Sequence, residues 1–229
     1  MDCMAARTII IVDCLDGELA DYCYRRIAGY FEPEFRALRI AADKDAIPTD
    51  AAAYARESGA AGMVIGGSHL SPLDPEPWLP ALERFIADFS LTGLPVLGIC
   101  FGLEILASAL GGELARRTEL TVALREVHLL ESDPLFDGLG PATLQPVAHS
   151  VMVSAVPQGY LVTAASEDCP VQAMRHMSLP VYGVQFHPEM DKDIKIYDSD
   201  WLSLPDSDFE RSEGPKVMRN FFRIIEKTL

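Results

Sequence analysis

Cys100 is the residue whose surroundings most clearly suggest chemistry. It lies in Gly-Ile-Cys-Phe-Gly-Leu-Glu (98–104), directly after an apolar run and directly before a helix-like run. The Gly-x-Cys-x-Gly pattern is typical of a nucleophile elbow, a sharp strand-to-helix turn whose glycines permit close backbone approach on either side. A helix that begins just behind the cysteine would favour its thiolate form. A buried structural thiol beside two loop glycines is the alternative interpretation.

A base and its orienting group are predicted near the other end of the chain. In Gly-Val-Gln-Phe-His-Pro-Glu (183–189), His187 and Glu189 stand two residues apart at the end of an expected strand, so both side chains can project to one side. The imidazole would accept the thiol proton while the carboxylate holds the ring. A strand-end histidine with a solvated glutamate is the alternative. The remaining histidines are expected to be loop or packing residues rather than bases: His69, His128, His149 and His176.

Backbone donors for a developing oxyanion are predicted at a glycine turn. Gly66-Gly67-Ser68 follows an apolar, strand-like run. Exposed N–H groups in such a turn, that of Gly67 above all, can act together with the N–H of Phe101, the residue after the thiol. A glycine pair alone is a weak signal. Together, the three stretches describe a thiol, a base, an orienting carboxylate and an oxyanion hole.

Alternating strand-like and helix-like runs are expected to position these groups. We predict strands at 7–13, 35–41, 62–65, 95–99 and 181–186, and helices at 19–30, 50–59, 77–91, 103–110 and 216–227. Residues 113–173 read as shorter alternating segments, typical of a meander or β-ribbon. This order predicts an α/β fold, an open and mostly parallel sheet flanked by helices, with a small β extension. Ligands bind such sheets at the carboxyl ends of the strands.

The composition narrows the classes of protein and partner. The 229 residues, 49% of them hydrophobic, fit one domain spanning residues 1–229. A formal charge of −15 argues against nucleic acid and membrane partners. No apolar run approaches the roughly 20 residues of a membrane span, and no secretory signal is visible. The five cysteines form no Cys-x-x-Cys pair, so a reduced, cytoplasmic protein with neither metal site nor other cofactor is expected.

Residues 191–214 are compositionally unusual, with eight acids and three bases. We predict a long acidic loop, inserted near the active site because it follows Glu189 directly. It would act as a lid or a docking surface, with apolar anchors at Trp201, Leu202, Leu204 and Phe209. A solvated surface loop is the alternative.

The combination of the glycine turn, GICFG and YGVQFHPE resembles the class I (triad) glutamine amidotransferases, and the resemblance covers most of the chain. Within that class, SEDCPVQAMRH and PVYGVQFHPE are most similar to the glutaminase subunits of two-subunit GMP synthetases. The resemblance implies a flavodoxin-like fold and a γ-glutamyl thioester formed when Cys100 attacks the side-chain amide of glutamine. It also implies that His187 protonates the departing ammonia and then activates water. The ammonia would pass to a separate synthetase.

Four departures from the family pattern surround the expected substrate pocket. Leu103-Glu104 stands where the family has a substrate-holding glutamine after the elbow, and His149-Ser150-Val151 stands where it has His-x-Asp. Gly66-Gly67-Ser68-His69 replaces Ser-Gly-Gly-Pro, and segment 191–214 is longer than the usual link. The resemblance therefore implies altered substrate contacts at Gly66, Ser68, Leu103, Glu104, His149, Ser150 and Val151.

The carboxyl group of Glu104 bears on which amide compound the site binds as its substrate. A carboxylate where an amide donor belongs would disfavour a free α-carboxylate and favour an ammonium group. The substrate is therefore glutamine or another γ-glutamyl compound.

Three functions follow from these observations. The first is a glutaminase acting for a separate synthetase, because the sequence contains neither a P-loop nor an ATP pyrophosphatase segment. The second is a stand-alone hydrolase of a γ-glutamyl amide or peptide. The third is a non-catalytic regulatory relative, against which the intact triad argues.

Overall fold

The computed structural model describes residues 7–31 and 35–228. Its strands are β1 (Arg7–Asp13), β2 (Phe35–Ala41), β3 (Ala60–Ile65), β4 (Val96–Ile99), β5 (Glu113–Leu129), β6 (Ala142–Ala155), β7 (Tyr160–Ser166), β8 (Cys169–His176) and β9 (Val181–Val184). Its α-helices are α1 (Gly17–Ala28), α2 (Ala51–Ser58), α3 (Leu79–Ser90), α4 (Phe101–Ala109), α5 (Asp206–Arg211) and α6 (Gly214–Thr228). Short 3₁₀ helices occur at Pro134–Phe136, Lys192–Ile196 and Ser199–Trp201.

The strands form one nine-stranded mixed sheet in the order β2-β1-β3-β4-β9-β8-β7-β5-β6. The first five strands in this order run parallel, and the pairs from β9–β8 to β5–β6 are antiparallel. The α/β fold predicted from the sequence is therefore confirmed. Its β extension contains strands of 17 and 14 residues, β5 and β6, in place of the short segments expected there.

Helices cover both faces of the parallel half of the sheet, and the apolar residues 9–12 of β1 show why. Ile10 and Val12 of β1 pack into the cluster formed with α3 and α4, whereas Ile9 and Ile11 pack into the cluster formed with α6. All four side chains are at most 1% exposed. Successive side chains of β1 thus point to opposite faces of the sheet, so one apolar run contributes to two hydrophobic cores. This is typical of a parallel strand that is buried on both faces.

The acidic segment differs from the loop that its composition predicts. Residues 191–213 contain two 3₁₀ helices and α5, and the carboxylates of Asp191 and Asp198 accept backbone N–H groups at the start of each 3₁₀ helix. Two of the eight acidic side chains in the segment, Asp191 and Asp198, therefore serve as caps of 3₁₀ helices. The side chains of Ile194, Trp201 and Phe209 pack with α1 in a third, smaller core.

The sequence predicts reduced cysteines and no membrane-spanning run, and the structure describes both the thiols and the helices. Cys14, Cys23, Cys100 and Cys169 are free thiols, and Cys3 lies outside the described residues. None of the helices in the described ranges is long and apolar enough to cross a membrane.

Candidate active site

The elbow around Cys100 has the strained backbone that its glycines predicted. Cys100 has φ 52° and ψ −108°, and it is the one non-glycine residue with positive φ in residues 7–31 and 35–228. A Cβ on Gly98 would overlap the carbonyl of Gly102, and a Cβ on Gly102 would overlap the carbonyl of Ile65. Both glycines are therefore required for α4 to begin directly behind β4. The helix begins at Phe101, two residues earlier than predicted.

His187 and Glu189 form a buried, hydrogen-bonded pair. The Nδ1 atom of His187 lies 2.9 Å from Oε1 of Glu189, and their side chains are 7% and 1% exposed. Burial opposes a charge on the imidazole, but the charges of Cys100 and Glu189 outweigh it and raise the pKa of His187 well above its usual value. The pair lies just beyond β9, which ends at Val184. Backbone contacts fix it: the N–H of His187 donates to the carbonyl of Pro146, and Arg26 donates to the carbonyl of Glu189.

The sheet topology brings thiol, imidazole and glycine turn to one edge. Strands β3, β4 and β9 are parallel neighbours, so the residues that follow them meet at their carboxyl ends. A Cβ on Gly67 would lie 3.0 Å from Cε1 of His187 and 4.0 Å from Cβ of Cys100. Within the described ranges, the N–H groups of Gly67 and Phe101 donate no hydrogen bond, whereas that of Gly66 donates to the carbonyl of Val12. Two backbone donors are thus available beside the thiol.

Gln185, which sequence reasoning did not single out, links the nucleophile to Glu104. Its Nε2 atom donates to Oε1 of Glu104 at 2.9 Å and lies 3.8 Å from Sγ of Cys100. Glu104 is 3% exposed, and this burial raises its pKa to about 7 although the Gln185 hydrogen bond opposes the shift. A carboxyl group that titrates near neutral pH therefore lies one helical turn from the thiol.

A cavity of about 310 Å³ opens above Cys100. Among the predicted substrate residues, Ser68, Glu104, His149, Ser150 and Val151 line it. Gly66 and Leu103, which were also predicted as substrate contacts, are not among the residues that line this cavity. Leu103 is fully buried against Gly183 in the core.

Further polar side chains border the cavity that were not among the predicted substrate contacts. They include His69, Asp198 and Asp200, the last two from the acidic segment predicted to lie near the site, together with the ion pair in which Arg116 lies 2.7 Å from Asp74. The Nε2 atom of His69 lies 3.6 Å from Oδ2 of Asp198, so the glycine turn and the acidic segment meet at the rim.

His149 is a buried, neutral member of the cavity wall. Its Nδ1 atom lies 3.0 Å from the carbonyl oxygen of Val151, and burial lowers its pKa to about 4. The neutral ring that donates Nδ1–H to this carbonyl keeps Nε2 as an acceptor. Within the described residues, no three His, Cys, Asp or Glu side chains are grouped so as to hold a metal ion.

Comparison with known proteins shows the family of the chain. The sequence model of the glutamine amidotransferase class-I family matches residues 33–195, so the chain belongs to this family. It is 36% identical over 166 residues to a glutamine-hydrolyzing GMP synthase subunit from Methanothermobacter thermautotrophicus, a match that covers 71% of this chain and 74% of the relative. The equivalent GMP synthase subunit from Pyrococcus abyssi is 38% identical over 108 residues, and this match covers 47% of this chain and 57% of that relative.

The fold agrees with this membership. The crystal structure of a glutamine amidotransferase from Thermotoga maritima superposes with a TM-score of 0.78, covering 96% of this chain and 98% of the other, at 18% sequence identity.

Proposed function

We propose that this chain hydrolyses the side-chain amide of glutamine through a thioester on Cys100 and releases ammonia for a separate synthetase. The observation that carries the proposal is the strained Cys100 elbow facing the His187–Glu189 pair, with two backbone donors beside it. The four free cysteines among the described residues support a cytoplasmic setting.

In the first half-reaction, Cys100 Sγ attacks the amide carbon and His187 holds the thiol proton. The N–H groups of Gly67 and Phe101 donate to the oxyanion of the tetrahedral intermediate. When this intermediate collapses, the C–N bond breaks and His187 gives the proton to the departing nitrogen, which leaves as ammonia. The γ-glutamyl thioester remains on Cys100.

In the second half-reaction, His187 accepts a proton from water, and the resulting oxygen nucleophile attacks the thioester. The C–S bond breaks and glutamate leaves, and the proton taken from water stays on His187 beside the restored Cys100 thiolate. Glu189 orients the imidazole through Nδ1 in both steps and stabilises its charged form.

Substrate recognition falls to the polar wall of the cavity. The α-ammonium of a glutamyl substrate lies four bonds from the amide carbon, and Glu104 lies one helical turn from the thiol. We assign the ammonium to Glu104 and to the acceptor nitrogen of His149, and the remaining substrate contacts to Ser68, Ser150 and Val151.

Exposed apolar side chains around the mouth of the cavity support a partner that docks there. Leu70 and Leu120 line the cavity and are 38% and 52% exposed. Leu73, beside Asp74, and Leu202, on the acidic segment, are 50% and 62% exposed. Such apolar groups rimmed by charges are typical of protein interfaces. The similarity to proteins named as GMP synthase subunits supports an ammonia-accepting synthetase as this partner.

A second candidate is a stand-alone hydrolase of γ-glutamyl amides, which share the α-ammonium and α-carboxylate of glutamine and differ from it only at the amide nitrogen. Arg116, the one Arg or Lys side chain among the described residues that line the cavity, is paired with Asp74, so an α-carboxylate finds no unpaired cation there in either substrate. Hydrolysis of a γ-glutamyl amide that carries a substituted nitrogen would release an amine in place of ammonia, so it would need no synthetase to accept the product.

An assay of glutamate release distinguishes the two candidates, because every γ-glutamyl substrate yields glutamate whichever amine leaves. The chain is incubated with glutamine and with γ-glutamyl amides, alone and with the ATP-dependent subunit of a two-subunit GMP synthase, and Cys100→Ala serves as the control. Glutamine turnover that is nearly silent alone and is stimulated by the synthetase supports the proposal. Equal turnover of γ-glutamyl amides without any partner would transfer the assignment to the hydrolase.

A further inference from the structure

We propose that Trp201, on the acidic segment, is a positioning residue for His187. Its indole ring fixes the orientation of the imidazole and keeps water away from the His187–Glu189 pair. The inference rests on the proposed function only for its kinetic readout, since the contact itself is a property of the fold.

Trp201 packs directly against the imidazole. The ring centroids of Trp201 and His187 lie 5.9 Å apart with an angle of 87° between the planes, the edge-to-face arrangement that aromatic pairs prefer. Trp201 is only 1% exposed, so its ring is a buried wall rather than a surface group. The imidazole is thus bordered by the thiol, by Glu189 and by an aromatic ring.

A small cavity beside the His187–Glu189 pair shows which space the indole ring of Trp201 closes off. A cavity of about 40 Å³ is lined by His187, Glu189, Trp201 and Cys23, and the Oε2 atom of Glu189 is buried there without a hydrogen-bond partner among the described residues. Apolar side chains, Leu19 and Met190 among them, make up much of the rest of its lining. Loss of the indole ring would enlarge the cavity and admit solvent to the carboxylate that orients the base.

The acidic segment is anchored firmly enough to hold the ring in place. Asp191 accepts from Tyr22 at 2.9 Å and pairs with Arg26 at 2.9 Å. Arg26 also donates to the carbonyl of Glu189, so one guanidinium joins the segment to the catalytic turn. Phe209 of α5 packs on Trp201 with ring centroids 6.0 Å apart. The segment therefore behaves as a fixed wall of the site rather than as an open lid.

The test compares Trp201→Ala and Trp201→Phe with Ile194→Ala, in the full chain. Ile194 is fully buried in the same small core and serves as the matched control for loss of packing. We expect Trp201→Ala to lower kcat for glutamine by about tenfold or more with little change in KM, because misorientation of a catalytic group affects the chemical step. Trp201→Phe should recover most of kcat. Ile194→Ala should retain kcat at a comparable loss of Tm.

A second readout needs no substrate. The rate of Cys100 alkylation by iodoacetamide near neutral pH should fall in Trp201→Ala relative to Ile194→Ala, because a misplaced imidazole no longer takes the thiol proton. If wild-type protein fails to hydrolyse glutamine even with the synthetase subunit present, the proposed function fails while this comparison still tests Trp201. If Trp201→Ala does not fold, Trp201→Leu replaces it. Equal kcat and equal alkylation rates in the Trp201 and Ile194 variants would overturn the inference.

Discussion

Glu104→Gln is the substitution with the most specific expected outcome. The carboxyl group of Glu104 is buried, and its pKa rises from 4.5 to about 7. At low pH both folded and unfolded chains hold the proton, so the group has no effect on stability. As pH rises through 4.5 the unfolded chain releases the proton while the folded chain keeps it, so stability falls until the pH passes about 7.

The size of this loss of folding stability follows from the shift in the pKa of Glu104. At 1.36 kcal/mol per pKa unit, the fully ionised carboxylate costs the folded state about 3 kcal/mol. Glu104→Gln should remove this pH dependence, and its amide can pair with the buried Oε1 of Gln185, which has no partner in the described structure. Urea unfolding near pH 5 and near pH 8 measures the effect. Glu113→Gln, at an exposed position, is the control. Parallel pH profiles for wild type and Glu104→Gln would refute the reasoning.

The same substitution should change activity with a matching pH dependence. Above about pH 7 the ionised Glu104 pairs with the α-ammonium of glutamine, and opposite charges about 4 Å apart at an effective dielectric constant of about 20 attract by roughly 4 kcal/mol, part of which offsets the removal of both charges from water. Glu104→Gln should therefore lower kcat/KM for glutamine on the order of tenfold near pH 8, and much less near pH 6, where the wild-type carboxyl is protonated. No loss at either pH would count against a role for Glu104 in binding the substrate.

Three further outcomes are expected. Gly102→Ala places a Cβ onto a β3 carbonyl, so it should cost about 1–3 kcal/mol in urea unfolding and abolish ammonia release. His149 is held neutral with a pKa of about 4, so stability should fall as pH drops from 6.5 toward 4; His149→Asn should flatten this acid limb by up to about 3 kcal/mol, as measured by unfolding across that range. Arg26→Ala removes the hydrogen bond to the carbonyl of Glu189 and should lower kcat several-fold, whereas the exposed Arg25→Ala should not, and equal effects of the two would contradict this role for Arg26.

The convergence of Cys100, His187 and the glycine turn at one edge of the sheet could be predicted from sequence because local patterns report it. Two glycines flanking Cys100 are required by backbone contacts on either side, and a β-branched run such as 7–13 has few other uses than a buried strand. Parallel strands then bring their carboxyl ends together, so motifs far apart in the chain converge without further information.

Contacts that depend on side-chain direction or on distant packing could not be predicted in this way. Leu103 and Glu104 are neighbours in sequence, yet about 100° of rotation per helical residue turns Leu103 into the core and Glu104 toward the cavity. Gln185 reads as one more residue of an apolar strand. In the acidic segment, irregular spacing of apolar residues does not show that Trp201 faces inward while Leu202 is 62% exposed.

Mass spectrometry of Cys100 tests the central claim most directly. Protein mixed with glutamine, with the synthetase subunit present, is quenched in acid during turnover, and the peptide that contains Cys100 is analysed. We predict an adduct with the mass of a γ-glutamyl group on Cys100, absent from His187→Ala and from protein without glutamine. Continued ammonia release by Cys100→Ala, with no adduct on Cys100 in the wild type, would contradict the account.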